Sequence, residues 1–324
     1  MVEKRAPPIL SVSGGSLPEA WENAILELKN KGVVFKREDE EDKGNQLDAV
    51  MTLEVRNPDV DPFTHLLGGT NATDSALLDY YMEIMGAKDS WLKKFDDPND
   101  TRWDYMYHER LASYPGAHGA IDQIEFAIKR LIERPASRRT NLITWHPGRD
   151  TVTRHTPCLQ SLWFCIYPGQ EGERDLLDMH YRFRSRNVLD ASFGNMQGLY
   201  MLGCHIRDRV EEARGRELDM RMVEHVDSYH VNSRSYPRFL ALMKALDDNI
   251  VHGRRRMLNR EDVVDGLEVA RPEVEAAILA HTTDVFAERG YSGAQLDIEM
   301  KKEATRVHGI GDRIFHLLNK YPRK

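Results

Sequence analysis

The sequence feature that most constrains the fold is a long run, FGNMQGLYMLGCHIRDRVEEARG, at residues 193–215. The pattern predicts a long helix that is buried along its apolar first part and becomes amphipathic toward its end. A buried helix requires other elements packed around it, so the fold must supply layers on several sides of this segment.

Helices and short strands are predicted around this run. Residues 16–32, 74–86 and 118–135 have helical spacing, and an isoleucine stripe marks the last of them. Strands are predicted at 49–55, TNLITW, QSLWFCIY and LLDMHYRFRS, and SYHVNS is extended, while FKREDEEDKGNQ is predicted as a solvated loop. Charged helices then follow at 236–250, 260–268, 271–289 and 295–319.

The order of these elements predicts an α+β fold, with a mixed β-sheet, long buried helices and a helical C-terminal extension. We place one domain at residues 1–240 and the extension, packed on it, at 241–324. The net charge of -7 and the pI of about 6.0 argue against a chain-wide nucleic-acid surface. No apolar run reaches the roughly 20 residues that span a bilayer, and no secretory signal is visible, so we expect a cytoplasmic protein.

The three cysteines differ in their surroundings. Their odd number and the lack of a CxxC motif argue against a disulfide framework or a metal site. Cys165 and Cys204 lie within apolar runs and fit ordinary packing. Cys158 follows a proline at the edge of an apolar run, so it is either packed or available as a nucleophile.

Two groups of arginines are candidates for anion binding. Arg138 and Arg139 are adjacent, so both serve one anion only if the backbone bends or if they reach across an interface. A second group has a period of two and would share one face of a strand: Arg182, Arg184 and Arg186. With Ser185 these side chains could bind a dianion and lower the pKa of the Cys158 thiol; the alternatives are surface charge and a guarded strand edge.

Several acidic and histidine side chains complete the candidates. Glu83 lies among apolar residues in DYYMEIMG, where a buried carboxyl would have a raised pKa and could relay protons. Glu109 can pair with Arg110, and His230 lies between polar residues. A cysteine hydrolase that uses Cys158 and His230 would lack a recognisable oxyanion loop.

Four segments in a fixed order are more specific than any single residue: AIDQIEFAIKRLIERPASRRTNLITWHP, PCLQSLWF, RFRSRN…FGNMQGLYML and DSYHVN. Together they resemble the thymidylate synthase family, which includes deoxypyrimidine monophosphate hydroxymethylases and archaeal-type synthases. The resemblance covers roughly residues 100–235, and SLPEAW…KG and LEVRNP resemble its divergent branch.

The resemblance implies a folate-dependent transfer of one carbon to a pyrimidine nucleoside monophosphate. Cys158 would add to C6 of the base and activate C5, and 5,10-methylenetetrahydrofolate would supply the carbon. Hydride would then give a methyl group, whereas water would give a hydroxymethyl group. The residues that would bind the nucleotide are Gln160, Arg184, Ser185, Asn195 at the base edge and His230 at the ribose, with Arg138 and Arg139 contributed by the second subunit of a homodimer.

Some positions depart from the family pattern. Asn187 stands where an aspartate usually helps to bind folate, and Asn232 where a tyrosine usually binds the ribose. The segment that carries the family's catalytic glutamate cannot be recognised in this sequence. We favour Glu83 as the catalytic carboxylate, because it lies on a predicted helix among apolar residues, and Asp61 and Glu109 are the alternatives.

These features lead to the hypothesis of a hydroxymethylase for dUMP or dCMP. Asn195 favours uracil, and the ending HLLNKYPRK differs from the tail that closes over a synthase site and excludes water. The alternatives are a divergent thymidylate synthase and a hydroxymethylase for CMP or UMP. A non-enzymatic relative that binds nucleotide or RNA, with HGRRRMLNR at 252–260 as a basic patch, is a further alternative.

Overall fold

The computed structural model describes residues 6–38, 43–68, 73–92, 103–153 and 155–321. The strands are β1 (Ile9–Gly14), β2 (Val33–Glu38), β3 (Lys43–Val55), β4 (Thr64–His65), β5 (Tyr114–Gly116), β6 (Gly119–Ile121), β7 (Asn141–Ile143), β8 (Leu159–Tyr167), β9 (Asp175–Phe183), β10 (Arg186–Asn187), β11 (Leu218–Val231) and β12 (Met257–Leu258). The helices are α1 (Leu17–Lys31), α2 (Asp74–Ile84), α3 (Tyr107–Ala112), α4 (Gln123–Glu133), α5 (Pro147–Asp150), α6 (Phe193–Arg214), α7 (Tyr236–Val251), α8 (Arg260–Glu288) and α9 (Gly293–Lys320).

Eight of the described strands form one mixed sheet, in the order β1-β3-β11-β9-β8-β7, with β2 on β3 and β10 on β11. Strand β11 runs parallel to β9 and antiparallel to β3, while β8 is antiparallel to β9. The α+β prediction is therefore confirmed. Strands β2 and β3 pair as a hairpin, so the ends of FKREDEEDKGNQ are strand rather than loop; its residues 39–42 lie outside the described ranges.

Helix α6 is the buried helix that its sequence predicts, and it contacts α1, α2, α4, α9 and β11. Its approach to the sheet depends on Gly203. A Cβ atom there would lie only 3.0 Å from the sulfur of Met179 on β9 and 3.1 Å from that of Met220 on β11. The absence of a side chain thus lets the helix lie directly on the methionines of two strands.

Two predicted helices have different bounds in the structure. The helix predicted at 118–135 begins at Gln123, because Asp122 caps it by accepting a hydrogen bond from the Glu125 amide at 2.9 Å. The residues before it form β6, and Ile121 is 48% exposed rather than part of the buried stripe. The segments 260–268 and 271–289 form the single helix α8, which continues through Pro272.

The C-terminal region is helical, as predicted, and packs on the rest of the chain. Helices α8 and α9 contact each other and α2, and α9 also contacts α6. The boundary placed at residue 240 falls inside α7, so the helical region of the structure begins at Tyr236. Within the described residues, no helix is both long and apolar enough to cross a membrane.

A buried ion pair connects the end of α9 to the core. Arg207 of α6 donates to both carboxylate oxygens of Asp59, at 2.6 and 2.8 Å, and its guanidinium lies 3.5 Å from the ring centroid of Tyr321. Burial opposes ionisation of Asp59, but Arg207, with smaller contributions from Arg260 and the Tyr200 hydroxyl, more than compensates, so the pKa of Asp59 is lowered. Both partners are almost completely buried, so neither charge has water as an alternative partner.

We therefore expect Arg207→Met to lower the free energy of unfolding by about 3–5 kcal/mol, because it removes the cation that donates to both oxygens of a buried carboxylate. Urea unfolding measures the effect. The matched control is Arg182→Met, which removes an ion pair with Asp227 whose side chains are about half exposed, and which should cost at most about 1 kcal/mol. Equal losses in the two variants would contradict this assignment.

Candidate active site

One cavity of about 600 Å³ brings together seven of the candidate residues. Its walls come from α2, the segment that leads into α3, the residue before β8, β10, the end of β11 and the start of α6. The candidate residues that line it are Glu83, Cys158, Ser185, Arg186, Asn187, Asn195 and His230. Convergence of a thiol, a carboxyl, an imidazole and two amides in one cavity is typical of a catalytic site.

Cys158 lies just before β8, where the preceding proline and Arg184 fix the backbone. Its carbonyl accepts a hydrogen bond from the Arg184 amide at 2.9 Å. The Arg184 guanidinium donates to the carbonyl oxygens of Pro157 and Thr156, at 3.1 and 3.0 Å. The thiol itself is half-buried.

The thiol pKa differs from the sequence-based expectation. Burial raises the pKa of Cys158, and the charges of Arg184 and Arg186 oppose this rise without reversing it. The arginines thus act in the predicted direction, but desolvation has the larger effect. The raised pKa favours the protonated form of the thiol in the ligand-free protein.

The three arginines with a period of two do not share a face, which corrects the prediction. Strand β9 ends at Phe183, so the alternation of side chains stops there. Arg182 is exposed and pairs with Asp227, whereas Arg184 turns toward residues 156–157. Arg186 is fully buried, lies 3.0 Å from Glu224 and covers the Phe183 ring at 4.1 Å.

Asn195 is held by a side chain that the sequence did not indicate. The hydroxyl of Tyr80 on α2 donates to Asn195 Oδ1 on the first turn of α6. Gly198 makes this contact possible, because a Cβ atom at that position would lie 2.5 Å from the Tyr80 ring. With Oδ1 engaged by Tyr80, the Nδ2 group is the part of the amide that can donate to a ligand.

His230 and Asn187 are also oriented by local hydrogen bonds. Nδ1 of His230 lies 3.1 Å from the carbonyl oxygen of Ser228, which can only accept, so Nε2 remains as the acceptor of a neutral ring. Asn187 accepts from the amides of Leu189 and Asp190 and so caps the π-helical turn Val188–Ser192 before α6.

Of the three candidate carboxylates, Glu83 is the one that lines the Cys158 cavity. Its side chain is 15% exposed, and burial raises its pKa while Lys88, with Nζ 3.3 Å away, acts in the opposite direction. Asp61 lines a second cavity, of about 630 Å³, and accepts from the Arg260 amide at 2.7 Å. Glu109 lies 3.3 Å from Arg149 and 3.5 Å from Arg110, as the sequence predicts for the latter, and it does not line the Cys158 cavity.

The remaining predicted nucleotide ligands lie outside the cavity of a single chain. Arg138 and Arg139 are exposed in the loop between α4 and β7, where the Arg138 carbonyl accepts from the Trp163 indole at 3.1 Å. Gln160 donates to the Pro157 carbonyl at 2.7 Å and so supports the loop that carries Cys158.

The sequence reasoning missed an aromatic wall of the cavity. Five consecutive residues, WDYMY at 103–107, line it, and Trp103 is 51% exposed. Burial raises the pKa of Tyr105 to about 12, so its hydroxyl remains a donor. The density of aromatic residues in this segment was the available signal. Planar faces of this kind suit the stacking of a conjugated ring system such as a pterin.

The basic patch predicted at 252–260 is largely neutralised by acidic side chains. Three of its arginines have carboxylate partners: Arg254 with Asp248, Arg255 with Asp262, and Arg256 with Glu22. Neutralised arginines offer little attraction for a nucleic acid.

Throughout the described ranges, no group of three or more His, Cys, Asp or Glu side chains is arranged to hold a metal ion.

Comparisons with known proteins place this sequence among related chains. The sequence profile of the thymidylate synthase family matches residues 71–235. A protein of Methanosarcina barkeri is 26% identical over 215 residues, which cover 66% of this chain and 88% of the relative. A protein of Methanocaldococcus jannaschii is 30% identical over 207 residues, covering 62% and 83%. A third, from Methanopyrus kandleri, is 28% identical over 204 residues, covering 62% and 85%.

Each of these relatives carries the name "putative thymidylate synthase". The matched range, 71–235, spans the chain positions that line the cavity from Tyr80 to His230. The chain therefore belongs to the thymidylate synthase family and is a one-carbon transferase.

Proposed function

We propose that the protein transfers a hydroxymethyl group to C5 of a pyrimidine nucleoside 5'-monophosphate, with dUMP as the favoured substrate and 5,10-methylenetetrahydrofolate as the carbon donor. The observation that carries the proposal is the convergence of Cys158, Glu83 and Asn195 on one cavity. In the overall reaction the nucleotide gains one CH₂O unit at C5, from the carbon donor and one water, and tetrahydrofolate is released.

Cys158 acts as the nucleophile by forming a bond from its sulfur to C6 of the base. The electron pair of the C5–C6 double bond moves toward O4, and C5 becomes a carbon nucleophile. The Nδ2 group of Asn195 is suited to stabilise the negative charge that develops at O4. The negative charge at O4 can also accept the thiol proton. Because its pKa is raised, the Cys158 thiol keeps this proton until the base is bound.

Glu83 is the side chain suited to move protons at C5 and at the exocyclic carbon. A carboxyl whose pKa is raised by burial can accept a proton near neutral pH and return it later. His230, with Nε2 available, is suited to the ribose hydroxyl, and Ser185 to the phosphate.

The residues present fit the carbon donor. Methylenetetrahydrofolate supplies an electrophilic one-carbon unit when it is bound. The exposed face of Trp103, with Met106 and Ala191, offers an apolar wall at the same cavity, and Asn187 lies near it. These side chains would hold a flat ring system against the nucleotide base.

Asn195 and Tyr80 favour uracil over cytosine. Uracil presents a carbonyl oxygen at C4, which accepts a hydrogen bond, whereas cytosine presents an amino group, which donates. Because Tyr80 donates to Oδ1, the amide offers its Nδ2 donor to the base. The donor matches O4 of uracil and opposes the amino group of cytosine.

The position of the C-terminal helices supports water rather than hydride as the final reactant. Among the described residues from 236 to 321, none lines the Cys158 cavity. Tyr321 is fully buried, and its hydroxyl donates to Glu211 at 2.8 Å, so this segment is not free to close over the site. A cavity that these described residues leave uncovered admits the water that hydroxymethylation needs.

A divergent thymidylate synthase is the second candidate, favoured by the names of the archaeal relatives. In either case we propose a homodimer. Arg138 and Arg139 are exposed and absent from the single-chain cavity, so a second copy would supply them to the phosphate.

The reaction is tested by incubating the protein with methylenetetrahydrofolate and each of dUMP, dCMP, UMP and CMP, followed by mass spectrometry. We expect dUMP to become heavier by one CH₂O unit without formation of dihydrofolate. A product heavier by one CH₂ unit, with growing dihydrofolate absorbance, would identify a synthase instead. If none of the four nucleotides is modified, the proposal is contradicted.

Replacement of the nucleophile should abolish turnover. We expect Cys158→Ala to lower kcat by on the order of 10³-fold or more, because the covalent route is lost. The control is Cys165→Ala, which removes a buried thiol on β8 that does not line the cavity. Comparable activity in the two variants would show that the reaction does not use Cys158.

Removal of the Tyr80 hydroxyl should weaken base discrimination. Without its donor, the Asn195 amide can rotate, and we expect Tyr80→Phe to lower the ratio of kcat/KM for dUMP over dCMP by about 10-fold, the equivalent of one hydrogen bond. The control is Tyr81→Phe, which removes the neighbouring hydroxyl that donates to Gln197 at 2.8 Å outside the cavity. An unchanged ratio in Tyr80→Phe would refute the role of this bond.

A further inference from the structure

The C-terminal helices make a concentrated set of contacts with one short segment, the turn Gly86–Leu92 that follows α2. From α9, Arg306 donates to the carbonyl oxygens of Gly86 and, at 3.1 Å, of Ala87. From α8, Thr282 accepts a hydrogen bond from the Trp91 indole at 2.9 Å. We call this segment the 86–92 turn.

Two further contacts close the same interface. His281 of α8 stacks edge-on against Trp91, with ring centroids 4.3 Å apart. Arg289, beyond the end of α8, donates to the Leu92 carbonyl at 2.9 Å. These contacts involve both ends of the turn and the indole of Trp91. Helices α8 and α9 therefore fix the backbone of the turn.

The turn carries a buried cation. Lys88 is 4% exposed, and its Nζ lies 2.6 Å from Asp79 Oδ2 and 3.3 Å from Glu83 Oε2. The same Nζ lies 5.1 Å from the Trp91 ring centroid. Trp91 therefore contacts both α8 and the cation, and links the C-terminal helices to Glu83 in two steps.

We propose that α8 and α9 hold the 86–92 turn so that Lys88 positions Glu83 toward the Cys158 cavity. Lys88 is a positioning residue in this scheme, and the C-terminal helical region is the support of the proton-transfer carboxylate. The inference rests on the proposed function in taking Glu83 as the group that moves protons.

The physical reason lies in the conflicting demands on Glu83. A carboxyl in this cavity is desolvated, which favours its neutral form, and Lys88 counteracts that effect. A flexible lysine would lose much conformational freedom on taking this position, so the turn that carries it must be ordered by other contacts. The contacts from α8 and α9 supply that order.

Other charged and titratable groups face Glu83 as well. Asp79 and Asp89 raise its pKa, and His108 lies 2.6 Å from Asp89. Across the cavity the groups are Tyr80, Asp104, Tyr105, Tyr107, His155, Cys158, Arg186 and His230. Lys88 is the cation that the structure pairs directly with Glu83, so its removal is the most specific perturbation.

The first test compares Lys88→Met with Lys88→Arg. Loss of the cation leaves desolvation unopposed, so the pKa of Glu83 rises, and the limb of the pH–kcat/KM profile that reports Glu83 moves to higher pH by about one unit. Lys88→Arg keeps the charge and should leave the limb near its original position. The same limb position in all three proteins would overturn the proposal.

The second test acts on the C-terminal helices through a matched pair. Thr282→Val removes the hydroxyl that accepts from Trp91, whereas Thr283→Val removes a hydroxyl that donates to Leu279 at 2.9 Å within α8. We expect the first variant alone to move the limb toward higher pH, by less than Lys88→Met, and to speed amide exchange in the 86–92 turn. Indistinguishable effects of the two variants would overturn the role of α8.

A readout that needs no turnover separates failure of this inference from failure of the proposed function. The titration of Glu83 is followed by NMR in protein labelled with ¹³C at glutamate carboxyls, with Glu83→Gln to assign the signal. If the unaltered enzyme modifies no nucleotide, the proposed function fails, yet a higher Glu83 midpoint in Lys88→Met and Thr282→Val still supports the positioning. Unchanged midpoints in both variants refute it, whatever the activity.

Discussion

Burial of the first part of α6, residues 193–204, is the constraint on which the rest of the structure depends. An apolar helix gains most of its stability from burial, so the sheet, α1, α2, α4 and α9 all pack against α6. Helix α6 also connects the cavity to the C-terminal region. Its first turn contributes Asn195 to the cavity, and near its other end Asp208 binds Lys320 of α9.

The sequence predicted those parts of the fold that depend on local periodicity. Helices α1, α2 and α6 and strands β8 and β9 follow their apolar patterns closely. The predictions that were wrong involve local signals that compete with periodicity. Asp122 caps α4 later than the isoleucine stripe suggests, and α8 continues through Pro272 because packing against α2 and α9 outweighs one lost hydrogen bond.

For the site, the sequence indicated several residues that line one cavity, but it also indicated Arg138, Arg139 and Gln160, which do not line it, and it did not describe the environment of any of them. The convergence of Cys158, Glu83 and Asn195 depends on contacts between distant segments. Whether desolvation or guanidinium charge dominates at the thiol depends on three-dimensional burial, which a pattern of arginines does not reveal. Tyr80 was missed for the same reason, since its partner is 115 residues away in the sequence.

The missing side chain at Gly198 links two properties that are usually treated separately. The residue lies one turn after Asn195, and the Tyr80 ring occupies the space that a methyl group would need. A change there from glycine to alanine would begin as a packing defect between two helices and would displace the Tyr80 hydroxyl from Asn195. If Asn195 contacts the base as proposed above, such a change alters substrate choice from a position outside the cavity lining, and a comparison confined to the cavity wall would overlook it.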